Sequence, residues 1–464
     1  MRLNHNTMAY TANNNLNAIN SNLTKSMQRL SSGYKINKSS DNPAGYAISR
    51  RMKAQIQGLE RANDNANDGI SLIQTGEGAL NEIQSILARI RELAVKGANE
   101  IYAEEDLDAM QDEINQLLDE IDRISDTTDF NGRKLLNGEL NKKGYTNSDA
   151  LKVKEIGGDI EPGEYGLTIT SAGEQASFAL SILDPAHEIT EDEAGILNIN
   201  GFQINITAGM TGEEVNTRIL EVADKIGIDY NAEEGTLTTR EYGSRQYIKV
   251  SSNNEALSGL LGATGETKYG KNAEASFTTE DDARLGFKDT ATIETQGNRV
   301  TVTDKNGFKM VYDIVPDELG AAPEDVSITV LSAGPMVLQI GNNEGQTLNI
   351  NISKTTAASL DIDKINVYTH AYSADAVEKL DAAVAKLSGI RSALGAYQNR
   401  LDHIVTNLET AGENLTDAVS RISDTDMAEE ITEYTQQNIL SQSAMQMLIK
   451  SNARPEGLLQ LFQR

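Results

Sequence analysis

At 464 residues with a formal net charge of −28, the chain has no cysteine, no tryptophan and only seven phenylalanines. These figures exclude disulfide and thiol chemistry, argue against a nucleic-acid partner, and leave too few aromatics for one large globular core. Two to four domains, with long helices packed through Leu, Ile and Ala, fit the length and composition better.

The charge is uneven. Residues 1–60 hold eight Lys and Arg against two Asp and Glu, whereas 145–360 hold fifteen against thirty-four, which places the acidic middle in water. The first 22 residues contain eight Asn and no apolar h-region, so no Sec-type signal peptide is read there. No apolar run is long enough to span a bilayer. The chain is therefore expected either to remain in the cytoplasm or to leave by another route.

Leu16, Ile19, Leu23, Met27 and Leu30 recur at threes and fours. They predict an amphipathic helix of about 25 residues, rich in Asn and Ser and marginal by itself. It stops at Ser31-Ser32-Gly33. Asp41-Asn42-Pro43 then offers a side-chain cap and a proline at a first helical position. From there to Lys96 the spacing predicts one long helix, ending at Gly97. Its seam is Leu59, Ala62, Ala66, Gly69, Ile73, Gly76, Leu80, Ile83, Leu87, Ile90 and Ala94. A second column, Leu72, Ala79, Ile86 and Leu93, runs beside it at sevens. Two columns make a stripe too wide for a single partner. A following helix from about Glu104 to Ser125 carries Leu107, Met110, Ile114, Leu117, Ile121 and Ile124 in heptad register. The short link at Gly97 to Ala103 makes these two an antiparallel hairpin.

Asn131-Gly132 and Asn137-Gly138 are turn signals, and from about 145 to 370 the chain reads as β-rich. Tyr165 to Thr170, Ile196 to Ile206, Tyr247 to Val250, Val300 to Thr303 and Met336 to Ile340 are the expected strands. A helical patch, Glu213 to Ile226, belongs to an αβ unit around 196–262. The heptad pattern returns in Val377, Leu380, Val384, Leu387, Leu394, Leu401, Val405, Leu408, Leu415, Val419 and Ile422, broken by Arg391, Gln398 and Gly412. It predicts a helix of about 45 residues. A last amphipathic segment carries Met427, Ile431, Tyr434, Met445 and Leu448, is interrupted by Pro455, and closes on Leu458, Leu459, Leu461 and Phe462.

The fold class is therefore α+β. Paired N- and C-terminal segments form a long antiparallel helical bundle, and a β-rich insert of one or two lobes lies between them. The outermost helices are too polar to build a stable core in a single chain, so they are expected to order only when another copy buries them.

Specific runs carry a family resemblance. Leu30-Ser31-Ser32-Gly33-Tyr34-Lys35-Ile36-Asn37, Asp41-Asn42-Pro43-Ala44-Gly45 and Ala47-Ile48-Ser49 resemble bacterial flagellin. So do Asn67-Asp68-Gly69-Ile70-Ser71-Leu72-Ile73-Gln74-Thr75, Glu77-Gly78-Ala79-Leu80 and Arg89-Ile90-Arg91-Glu92-Leu93-Ala94. At the far end the similar runs are Leu394-Gly395-Ala396, Gln398-Asn399-Arg400, Arg421 to Ala428, Ile439-Leu440 and Leu458-Leu459. The match covers about 1–140 and 335–464. It implies a filament subunit without catalysis or cofactor, exported through the flagellar type III channel and polymerised at the distal tip. The implied partners are further copies of itself, an export chaperone, the filament cap protein and the hook–filament junction protein. In that family 1–42 with 425–464 correspond to the inner tube, 43–144 with 335–424 to the long-helix bundle, and 145–334 to the variable outer insert. In this chain Gln339 to Leu348, which resembles a hairpin that many flagellins place directly after the Asn-Gly segment, follows the insert instead. Ile199-Asn200-Gly201 with Ile204 to Glu214 resembles a small repeat of some flagellin inserts.

By the same resemblance, Arg89, Leu93 and Glu113 match positions that contact Toll-like receptor 5 and take part in subunit packing. Together with Ile86 they are read as an edge left for another molecule, because Arg89 and Leu93 lie four apart on one helix face. Leu16, Ile19, Leu23 and Leu30 with Met427, Ile431, Tyr434, Met445 and Leu448 are the expected terminal assembly seam. His187-Glu188 opens like a zinc-protease helix, but the residue four after His187 is Glu191, so the ligand pair is missing. Asp281-Asp282 and Glu191-Asp192-Glu193 read as solvated surface, without a full calcium loop. Two other classes are weighed: a hook–filament junction protein, which shares the end motifs, and an enzyme or adhesin carried in the insert, where the missing metal pair and absent triad argue against the enzyme and adhesion or glycan display stays open.

Overall fold

The computed structural model describes residues 6–99, 101–157, 160–280, 283–305, 308–320, 323–331 and 334–462, with backbone alone for 280, 283 and 455–462. The helices are α1 (Thr7–Ser32), α2 (Pro43–Gly97), α3 (Glu104–Thr127), α4 (Gly212–Lys225), α5 (Glu255–Leu261), α6 (Ala357–Leu360), α7 (His370–Ser423) and α8 (Met427–Phe462). Short antiparallel strands fill the span from 129 to 350.

The chain divides into two compact units. The first comprises residues 1–68, 339–347 and 401–464. In it α1 lies antiparallel to α8: Asn20 meets Ser441 at 3.0 Å, and Ser26 Oγ donates to Glu430 O at 3.4 Å. Gly33, in the left-handed region at φ 75°, ends α1 and donates to Arg29 O. Beyond the helix ends, Lys35 N donates to Ser423 O at 2.7 Å and Thr425 N to Gly33 O at 3.0 Å, with Tyr34 bridging Asp424. The predicted cap of α2 forms, Asn42 Oδ1 accepting from Gly45 N at 3.0 Å ahead of Pro43. Leu59 and Ala62 of α2 pack on Leu408 with Ile404, Ala411 and Leu415 of α7. The tip of the hairpin formed by Met336–Gln339 and Thr347–Ile350 also sits on α2, where Asn65 Nδ2 donates to Gln339 O at 2.9 Å.

The second unit comprises residues 69–338 and 348–400. Here every predicted seam position of α2 from Gly69 to Ala94 is buried. Gly76 leaves room for Leu135 and Leu394, each 3.9 Å from where a Cβ would stand. Gly97 is required by close approach: an added Cβ would lie 2.9 Å from Val367 Cβ. Arg391, one of the breaks in the α7 heptads, reaches back to Gln84 and to Glu77 of α2. On α3 the buried column is Ile114, Leu118, Ile121 and Ser125, not the Leu117 and Ile124 of the heptad reading. A strict 3.5 period drifts on a straight 3.6-residue helix, so the contact line steps one residue across. Ser125 is tolerated there because its Oγ donates to Leu136 O at 2.9 Å.

The insert has two separate hydrophobic cores. One belongs to a β-sandwich of two antiparallel sheets. The first sheet runs in the order Glu274–Phe277, Gly163–Ser171, Glu324–Val330, Gly144–Thr146, and the second Thr292–Gln296, Arg299–Thr303, Lys309–Ile314, Leu151–Ile156. Tyr312, Leu167, Ile328 and Val300 are fully buried between them. The other core belongs to an α/β lobe of strands between 175 and 269 with α4 and α5. This lobe is nested inside the sandwich: the chain leaves after Ser171 and returns at Glu274. At the neck Glu174 and Lys271 exchange both backbone hydrogen bonds, at 2.8 and 3.0 Å. The expected single strand Ile196 to Ile206 is a hairpin, Gly195–Ile199 against Phe202–Ile206. Asn200 (φ 49°) and Gly201 (φ 95°) make its turn, the type I′ geometry that Asn-Gly favours.

Candidate assembly surface

Within the first unit, α1 and α8 offer each other a narrow contact. Among the described residues of α1, Leu16 and Ser26 are buried, and Ile19, Leu23 and Leu30 are half-covered. Met27, predicted in the seam, is 52% exposed, and the small Ser26 takes the inward place so that the two backbones can approach. On α8, Tyr434 and Leu448 are half-covered, but Ile431 is 52% exposed and Met427 and Met445 are similarly open. Ile439, Leu440, Met447, Ile449 and, on α1, Met8 and Tyr10 are exposed as well. Glu430 is the buried charge of the pair, facing Arg29 at 3.5 Å. Much of the apolar surface of this helix pair is therefore left facing solvent.

At the second predicted edge, Arg89, Glu113 and Ile86 lie near one another. Arg89 of α2 holds Glu113 of α3 at 2.7 Å and Glu92 of its own helix at 2.9 Å, and Lys96 takes the other side of Glu92 at 2.8 Å. Hydrogen bonds donated to Glu113, then to Glu92, raise the Arg89 guanidinium further above its ordinary value, and Lys96 followed by Arg89 lowers the Glu92 carboxyl. Ile86 is half-covered beside this cluster. Leu93 is not part of the exposed edge: it is 2% exposed. A step of four residues turns about 40° around a helix, enough to carry Leu93 from the Arg89 edge into the core.

The readings of chemistry in the insert resolve into structure. His187 Nε2 lies 3.3 Å from Glu193, not from Glu191. Glu193 also accepts from Thr190 N and Oγ1, each at 2.9 Å, and these bonds hold its carboxyl below the usual range. Among the described residues no group of three potential metal ligands comes together; Asp281-Asp282 lies outside them. A cavity of about 400 Å³ is bounded by Asp224, Arg240, Arg245, Lys364, Tyr372 and Lys379. Its cations already face carboxylates: Arg240 meets Asp224, Arg245 meets Glu378, and Lys364 and Lys379 share Glu241. Burial pushes the Tyr372 hydroxyl up to about 12, where it bonds Asn200 Nδ2 at 2.7 Å. These contacts seat the α/β lobe on α7 and leave no spare charge for a ligand. Sequence reading missed that seat because Arg245 with Glu378, Lys379 with Glu241 and Asn200 with Tyr372 each join residues more than a hundred positions apart.

Pro455 does not interrupt α8, whose helical backbone continues to Phe462. No helix among the described residues is long and apolar enough to cross a membrane.

The family model for the bacterial flagellin N-terminal helical region matches residues 3–141, and that for the C-terminal helical region matches 377–462. The chain is 33% identical over 457 residues to a flagellin of Clostridium tyrobutyricum, covering 98% of this chain and 100% of that one. It is 33% identical to a flagellin of Salmonella typhimurium, covering 99% of each, and 31% identical to flagellin B of Vibrio cholerae, covering 100% of this chain and 99% of that one. Among solved structures, FliC from Burkholderia pseudomallei is similar at 16% identity, covering 72% of this chain and 99% of that one, with a TM-score of 0.24. The two terminal matches and the full-length relatives agree with the helix pairs described above: the chain belongs to the bacterial flagellin family, a family of structural filament subunits.

Proposed function

We propose that this chain polymerises into the long flagellar filament, with 1–42 and 425–464 forming an inner layer, 43–144 and 335–424 the layer around it, and 145–334 the outer surface. The observation that carries this reading is the row of exposed apolar side chains on α1 and α8, including Met27, Ile431 and Met447. Leaving such a stripe in water costs roughly 25 cal/mol for each Å², so a helical array of identical copies that buries it gains stability at every contact. The terminal helices order as that burial happens. Ile86, Arg89 and Glu113 form a second contact with neighbouring copies and, on the free subunit, a docking edge for Toll-like receptor 5. Leu93 supports this edge from inside the core. Export runs through the flagellar type III channel with a dedicated chaperone, and growth occurs under the cap protein beyond the hook–filament junction.

The test is truncation. Removing residues 427–464 is expected to abolish polymerisation while the remaining body stays folded by circular dichroism; filaments from the truncated chain would refute the reading. The rival reading, a hook–filament junction protein, is separated by seeded growth of the purified full-length chain. Long tubes in negative-stain micrographs favour the filament subunit, and short caps or no growth favour the junction protein.

A further inference from the structure

The helical backbone of α8 runs through Pro455. Proline has no N–H, so the carbonyl four residues back, Ser451 O, loses its intrahelical donor. That carbonyl accepts a 2.9 Å hydrogen bond from Asn6 Nδ2. The oxygen of the same side chain, Asn6 Oδ1, accepts from Ala9 N at 3.1 Å and caps α1. One amide therefore closes two backbone gaps, the first at the start of α1 and the second inside α8. On the neighbouring turn Arg454 reaches Met8 Sδ at 3.3 Å.

Arg29 with the buried Glu430 also fixes the stagger, at the other end of the pair, and the remaining polar contacts do so less strictly. Asn20 with Ser441 joins two side chains at an exposed position, and the carbonyl that Ser26 meets is one an unbroken helix already satisfies. Ser451 O differs because Pro455 leaves it unpaired. A slip of α8 by one turn, about 5.4 Å, would strand that carbonyl and pull Asn6 away from it. We propose that Asn6 and Pro455 act as a register lock that fixes the stagger of α1 against α8, and with it which apolar side chains the pair presents to other copies. The lock rests on the reading of this pair as the assembly surface.

Two substitutions isolate it. Asn6→Asp keeps an acceptor for Ala9 N but cannot donate to Ser451 O, and Pro455→Ala returns an N–H to that carbonyl. In polymerisation of the purified full-length chain, Asn6→Asp is expected to raise the critical concentration about fivefold, the fold-change of one net hydrogen bond. The same change should be neutral when Pro455→Ala is present. An equal rise in both backgrounds overturns the lock. A second readout is disulfide yield in an Asn20→Cys, Ser441→Cys chain, which carries no other cysteine. Asn6→Asp should lower the yield only where Pro455 is retained, and a yield that ignores it also overturns the lock. If the unaltered chain fails to polymerise, the assembly reading falls, and the disulfide yield alone then judges the lock.

Discussion

Arg89 and Glu113, twenty-four positions apart in sequence, meet at 2.7 Å across α2 and α3 with more than a third of each side chain open to solvent. An ion pair so exposed adds little to folding, because water and salt screen it and two long side chains must be held still. Its value lies in what it displays: a fixed pair of opposite charges beside the half-covered Ile86. Arg89→Ala and Glu113→Ala are therefore expected to leave the melting transition of the body in place while weakening subunit association. Calorimetry alongside a sedimentation assay of polymerisation checks this, and a large loss of melting temperature would move the pair from display to core support.

Leu93→Ala should behave in the opposite way. Because Leu93 is buried, truncating it costs about 2–5 kcal/mol through lost burial and a residual cavity. Any loss of receptor or subunit binding by this variant then follows from the fold. Denaturant unfolding measures the difference directly, and a change within the noise would show that the site collapses around the smaller side chain.

The nested lobe makes a deletion testable. Glu174 and Lys271 exchange both backbone hydrogen bonds, which is the pairing that closes a two-residue hairpin turn. Replacing residues 175–270 by Asn-Gly should leave the sandwich folded and the chain able to polymerise. Aggregation of the shortened chain would show that the sandwich depends on the lobe it carries.

Acid should loosen the second unit in a defined window and only slightly, since the pairs concerned are as exposed as Arg89 and Glu113. The Asp381 carboxyl is held below its ordinary value first by the hydrogen bond from Arg91, at 2.7 Å, and Glu92 is lowered by Lys96 and Arg89. A depressed carboxyl contributes stability that is complete above the unfolded value, about pH 4, and is lost as the pH falls through the lower folded value. The melting temperature should therefore hold from neutral pH to about 5 and decline below about 4. Asp381→Asn should make that decline shallower; an identical acid limb in the variant would rule this pair out as a contributor.

The α2 seam was legible because a long helix repeats its own signal: from Leu59 to Ala94 each seam position is buried. Finer placement failed where neighbours compete for one place. Ser26 displaces Met27 because close backbones reward a small side chain that hydropathy alone ranks lower, and Leu118 displaces Leu117 because the contact line drifts across a straight helix. Asn200-Gly201 was a readable turn hidden inside an apolar run. Two features had no local signal at all. The sandwich pairs Gly163–Ser171 with Glu324–Val330, and nothing in either strand names the other. The partner that Ser451 O finds four residues before Pro455 is a side-chain amide far away in sequence. Of the edge residues, Arg89 and Glu113 meet in an ion pair that no spacing announced, and Leu93 lies in the core instead.

The short ladder that ties Gly33, Tyr34 and Lys35 to Ser423, Asp424 and Thr425 sits where both terminal helices leave the long ones. Its bonds need both strands, so neither end can be put in place while the other is loose. The two termini are thus coupled as one cooperative element, and the chain's beginning and its end take their positions in a single step or not at all.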